Sequence, residues 1–143
     1  MTDIENAKHL ITQGNATLVL CRGDETVISE KRGIAPMLDF IAEKRVLNGF
    51  AAADKIVGKA AAMLFVLAGI KKVYAEVLSE SAVEVLKENG IEYSYGVLTE
   101  RIINRKGTGI CPMEQTVENI SVPMQAYDAL IKKVNELRSG SKS

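Results

Sequence analysis

The residues of this chain with chemical potential fall into two short stretches. The first is Ala53-Asp54-Lys55-Ile56-Val57-Gly58-Lys59-Ala60, where an extended apolar segment gives way to a helix. It sets a carboxyl group (Asp54), two ammonium groups (Lys55 and Lys59) and a glycine (Gly58) around one strand-to-helix turn. In open α/β sheets, ligands settle in the crevice beyond the carboxyl ends of the strands. Lys59 in the first helical turn stands against the helix dipole, and a local rule broken at such a turn marks a candidate site. The expected occupant is a small anion, held by Lys59, Lys55 and the backbone N–H groups near Gly58. The stretch is not a Walker A loop, because Ala53 stands where that motif needs a glycine. The plainer reading makes Lys59 a solvated side chain and Asp54 a turn cap.

The second stretch is Cys111-Pro112-Met113-Glu114. Proline is favoured at the first helical position, which makes Cys111 the N-cap. A helix N-terminus favours the thiolate, the nucleophilic form of cysteine. Glu114, at the third helical position, is placed to reach back to the cap amide. Asn104 and Arg105 lie just upstream and add donors and charge. The plainer reading is a small buried thiol beside an ordinary helix start. A weaker candidate, Ser79-Glu80-Ser81, pairs an anion-binding reading with a simple N-cap, and the cap preference favours the latter.

Several chemistries are excluded by count. The chain has one histidine, His9, and two cysteines, Cys21 and Cys111, far apart. A zinc centre needs more ligands than these, and no Ser-His-Asp arrangement can be built around so isolated an imidazole. Neither a metal nor an organic cofactor is expected. Lys plus Arg equals Asp plus Glu at 18 each. That balance gives no general pull toward nucleic acid or an anionic membrane. Tryptophan is absent and aromatics make up 5%, too few for base-stacking platforms. The polar N-terminal stretch is no signal peptide. The longest apolar run, Ala60 to Ile70, is too short to span a bilayer. Two scattered thiols fit a reducing cytoplasm.

The elements that must position these residues follow from pattern. Thr2-Asp3-Ile4-Glu5 reads as a capping box opening a first helix. Thr17 to Cys21 and Thr26 to Ser29 read as a hairpin across the turn Arg22-Gly23-Asp24-Glu25. A helix follows Gly33, with Pro36 in its first turn and Ile34, Met37, Leu38 and Ile41 at helical spacing. Phe50 to Ala53 reads as extended. Lys59 to Gly69 is apolar nearly all round, as in a helix buried on most sides. Val73 to Leu78 and Ile91 to Leu98 are strands flanking a helix that Ser79 caps and Asn89-Gly90 closes. Thr99 to Ile110 reads equally as a strand or as a loop with a helical turn. A short helix runs from Pro112 to about Asn119, and the last begins at Pro123. Strands separated by helices imply parallel neighbours with right-handed crossovers. The expected fold is one α/β domain over residues 1–138, with a polar tail from Ser139 to Ser143. It is a three-layer α/β/α sandwich with a mixed sheet of about five strands and one antiparallel hairpin edge.

At Ala53 to Ala61, and from Asn104-Arg105 through Cys111-Pro112-Met113-Glu114, the sequence resembles a family of uncharacterised prokaryotic proteins assigned a cytidine-deaminase-like fold. The resemblance spans about residues 5 to 135. It implies a core of a helix, two strands, two helix–strand units and a final strand, with a helix around Ile34 to Leu47 as an elaboration. Deaminases of this fold carry His-x-Glu at the start of one helix and Pro-Cys-x-x-Cys at the start of the next. The matching starts here are Gly58-Lys59 and Ser79-Glu80-Ser81, with neither His nor Cys. The resemblance therefore implies a pocket where two helix N-termini converge, and not the zinc reaction. Three readings stay open: an enzyme using Cys111, Lys59 and Asp54; a catalytically silent module sensing a small anionic or nucleotide-like molecule; and a structural homo-oligomer.

Overall fold

The computed structural model describes residues 1–104 and 106–140. Helix α1 (Asp3–Thr12) opens on the capping box expected from sequence, with Thr2 and Glu5 bonding each other's backbone N–H groups. Strands β1 (Leu18–Arg22) and β2 (Glu25–Ser29) form an antiparallel hairpin whose tight turn is Gly23-Asp24. Helix α2 (Ala35–Ala42) follows, then β3 (Ala51–Val57), α3 (Lys59–Ala68), β4 (Lys72–Ser79), α4 (Glu80–Glu88) and β5 (Glu92–Thr99). Helices α5 (Pro112–Val117) and α6 (Pro123–Gly140) complete the order.

The sheet runs β2-β1-β3-β4-β5. β1 pairs antiparallel with both β2 and β3, while β3, β4 and β5 run parallel. This is the mixed five-stranded sheet anticipated, with the hairpin at one edge. α1 covers one face, burying Ala7 and Ile11 against Val19, Cys21, Ala53 and Tyr74. The larger core lies on the other face. There α3 buries Ala60 through Phe65 against Leu20, Ala52 and Val73, flanked by side chains of α2, α4, α5 and α6. The alanines of α3 let its backbone approach the sheet closely, which is why an almost wholly apolar helix occurs here.

Three boundaries differ from expectation, and one open reading resolves. β3 runs on to Val57, so Asp54 and Lys55 belong to the strand and not to a turn after it. Both take part in sheet pairing, Asp54 opposite Leu18 and Ala75. α2 stops at Ala42, well short of Leu47, because Lys44 adopts a left-handed conformation and Arg45 folds back to bond the Phe40 carbonyl. Between Thr99, which ends β5, and Ile110, the described residues take the loop form, with an isolated bridge between Ile103 and Ile110. α6 carries on through Ser139 and Gly140, the Ser139 hydroxyl bonding back to the Asn135 carbonyl. Positions 141–143 of the expected tail lie outside the described residues.

Candidate functional site

Strand alternation sends neighbouring side chains to opposite faces of a sheet. On β3 it separates Asp54 from Lys55. The Lys55 ammonium is on the α1 face, 3.3 Å from the Ile11 carbonyl at the end of α1 and 3.3 Å from the Glu76 carboxylate of β4. Asp54 is on the α3 face with Ala52. Lys55 also borders the cleft that Asp54 enters.

That cleft has a volume of about 900 Å³ and lies beyond the carboxyl end of β3. Its walls are largely apolar: Ile34 from the start of α2, Ile56 from β3, Ile102 and Ile103 from the loop, Met113 from α5, and Val134 and Leu137 from α6. Its polar groups are few. Asp54, Asn104, Cys111 and Glu114 line it, with Arg32 and Lys106 as exposed cations. The structure thus joins the two stretches that the sequence nominated from opposite ends of the chain.

Asp54 is the most perturbed group. It is 8% exposed, and burial drives its carboxyl from an ordinary value of 3.8 up to about 8, although the backbone N–H groups of Lys55 and Ile56 pull the other way. The physical cause is desolvation, and among the described residues no cation is in compensating contact. At neutral pH the side chain is a carboxylic acid, an O–H donor beside a C=O acceptor.

Gly58 caps α3 with extended backbone and contributes no side-chain hydrogen bond. The cap comes from α5. The Glu114 carboxylate accepts from the Lys59 N–H at 2.8 Å and from the Ala60 N–H at 2.9 Å. A Cβ on residue 58 would lie 2.4 Å from the Glu114 carboxyl carbon, so only glycine admits this contact. The anion expected at the α3 N-terminus is therefore a carboxylate of the protein itself. Glu114 does not reach back to the Cys111 amide, which instead bonds the Ile102 carbonyl. The Lys59 ammonium also turns to α5 and bonds the Glu118 carbonyl at 3.0 Å. The sequence nominates Gly58, Lys59, Cys111 and Glu114, but neither Ile102 nor Glu118. It does not show their pairing, because a cap supplied from 55 positions away has no local signature.

The other candidates separate. Ser79 is the buried N-cap of α4, accepting from the Ala82 N–H and lying 3.1 Å from the Ser81 hydroxyl. Ser81 and Lys59 border a smaller cleft of about 380 Å³ that Glu84, Glu88 and Glu118 make acidic. Glu114 and Ile102 line both clefts, so the wall between them is α5 and its preceding loop. Asn104 spends its amide on that loop, bonding both the hydroxyl and the backbone N–H of Thr108. Arg105 lies outside the described residues. Cys111 is the N-cap of α5, half-buried on the cleft wall, whereas Cys21 is fully buried and its thiol is pushed up by desolvation. Among the described residues no group of three or more His, Cys, Asp or Glu side chains is placed to hold a metal ion. The α3 start offers backbone N–H groups bonded to the Glu114 carboxylate, and the α4 start offers the Ser79 and Ser81 hydroxyls.

The sheet order and its two helical layers define an α/β/α sandwich around a mixed five-stranded sheet. Within that class, the chain belongs to the DUF1893 family, a domain of unknown function (TM1506) whose model matches residues 6–134. The crystal structure of a DUF1893 family protein (TM1506) from Thermotoga maritima has a TM-score of 0.82 at 24% identity. The match covers 92% of this chain and 89% of that one, and the likeness is one of fold. The dCMP deaminase from cyanophage S-TIM5, in apo form, scores 0.42 at 13% identity, covering 68% of this chain and 93% of that one. A diaminohydroxyphosphoribosylaminopyrimidine deaminase/5-amino-6-(5-phosphoribosylamino)uracil reductase from Thermotoga maritima also scores 0.42, at 16% identity, covering 66% and 35%. No curated protein matches the sequence significantly. No described helix is long and apolar enough to cross a membrane.

Proposed function

We propose that this protein binds a nucleotide-like small molecule in the cleft over Asp54. The observation that carries the reading is the buried Asp54 carboxyl, its pKa raised by desolvation, lining an apolar cleft of about 900 Å³. Small-molecule sites are typically concave and apolar, with a few convergent polar groups and a perturbed titratable side chain. A neutral carboxyl pairs with the donor–acceptor edge of an amide or heterocyclic ring. The isoleucine walls take the ring faces, and Arg32 and Lys106 offer positive charge to an anionic tail. Glu114 does not repel such a tail strongly, because its charge is engaged by the α3 N–H groups.

The test is a thermal-shift panel of bases, nucleosides and 5′-monophosphates. A ligand that binds the folded state raises the melting temperature by mass action. Asp54→Asn keeps a donor beside an acceptor and is expected to retain a shift; Asp54→Ala is expected to lose it. A flat response across the panel, or equal shifts in Asp54→Ala and wild type, would overturn the reading.

An enzymatic version of the same reading rests on Cys111, whose thiol lines the same cleft. It predicts that native protein loses turnover on alkylation of Cys111, with the panel ligand protecting against the reagent.

A further inference from the structure

The two edges of the sheet are built differently. β2 spans only Glu25 to Ser29, opens on a charged residue and runs into Glu30-Lys31-Arg32. Short strands and charges of this kind blunt an edge against pairing. β5 has neither device. It spans eight residues and, among the described residues, pairs only with β4, leaving a row of backbone N–H and C=O groups along its outer side. From Tyr93 to Thr99 it holds no charged residue and no proline. Glu92 at its start is already paired with Lys72 of β4 at 3.2 Å. Tyr95, Val97 and Leu98 are 44%, 59% and 45% exposed. These apolar side chains project on both faces of the sheet, so no single covering helix would bury them. A further strand would, and it would also satisfy the open backbone.

We infer that the open edge of β5 seats a second copy of this chain, its β5 joined antiparallel about a two-fold axis through Val97. Residues directly opposite in an antiparallel pair share a face, which puts a two-fold axis at a residue and limits the registers. An axis at Gly96 opposes Glu92 to Glu100 of the second copy, a like-charge pair that is unfavourable. An axis at Tyr95 sets Leu98 against Glu92. With the axis at Val97, Val97 meets Val97, Tyr95 meets Thr99, and Leu98 lies over the bare backbone of Gly96. Tyr93 then faces Arg101, a pairing that cation–π attraction favours. No like charges oppose in this register. Gly96 is free of a side chain for a reason internal to the fold, since a Cβ there would sit 2.9 Å from the Glu76 carbonyl oxygen. The uncharged strand matches itself, and the result is a continuous ten-stranded sheet, five from each copy.

Sedimentation velocity from micromolar to sub-millimolar concentration tests this on the full chain. Wild type is expected to form a dimer, and Val97→Lys a monomer with an unchanged circular dichroism spectrum. Directly opposed strand residues have Cα separations that a disulfide can bridge. In a Cys111→Ser background, Val97→Cys is therefore expected to cross-link on mild oxidation, and Thr99→Cys is not. A monomer at every concentration, a dimer that survives Val97→Lys, or equal cross-linking by the two cysteine variants would overturn the inference.

Discussion

Asp54→Asn should make the protein more stable at neutral pH, by an amount that grows with pH. In the fold the Asp54 carboxyl titrates at about 8, and in the unfolded chain near 3.8. Between those values the unfolded chain releases a proton that the folded chain keeps. A raised folded-state pKa gives stability that is fully present below the unfolded value and is lost as pH rises through the folded one. Each pKa unit corresponds to about 1.4 kcal/mol. Raising the pH from about 5 to about 8 therefore removes about 3–4 kcal/mol from wild type through this group alone. Asparagine has nearly the same shape and does not titrate, so it escapes the loss. The assay is urea denaturation of both proteins at matched pH values, with the difference in unfolding free energy plotted against pH. All other titrating groups cancel in that difference. The expected curve climbs across the interval and flattens above the folded pKa. A difference that stays flat, or an Asp54→Asn protein that becomes the less stable as pH rises, would refute the reasoning, because Asp54 would then be ionised in the fold.

Further outcomes follow from the α3–α5 contact and the cleft walls. Glu114→Ala removes two charge-assisted hydrogen bonds from the α3 N-terminus, and chemical denaturation is expected to show a loss of about 1–3 kcal/mol. Gly58→Ala displaces the same carboxylate, so the double variant should lose little more than either single one; additive losses would separate the two effects. Lys55→Met breaks a partly exposed ion pair on the α1 face, and should cost at most about 1 kcal/mol while leaving ligand shifts intact. In native protein a small thiol reagent should label Cys111 and spare Cys21, as read by mass spectrometry of the labelled peptides; labelling of both at one rate would place Cys111 outside an open cleft.

Much of this was legible in the sequence wherever the cause was local. The capping box at Thr2-Asp3-Ile4-Glu5, Pro112 at a helix start, and the buried alanine-rich helix after Gly58 each carry their reason within a few residues. The alternation of strands and helices fixed the parallel half of the sheet. The site was legible as a set of residues and not as an arrangement. Asp54 read as part of a turn because aspartate is depleted in strands and favoured in turns. Pairing with β1 and β4 on either side is a tertiary demand that overrides that propensity. Lys55 read as an anion ligand because the continuation of β3 to Val57, which sends it to the other face, was not visible. The role of Glu114 depends on a contact 55 positions away, and no spacing rule reaches that far.

The central claim is that the cleft over Asp54 is where this protein meets a small molecule. Amide chemical-shift mapping on isotope-labelled wild type, titrated with the 5′-monophosphate giving the largest thermal shift, tests it most directly. The account predicts saturable shifts clustered at Asp54 to Ala60, Ile102 to Asn104 and Cys111 to Glu114, and lost in Asp54→Ala. Saturable shifts centred elsewhere, or none at these residues, would contradict it.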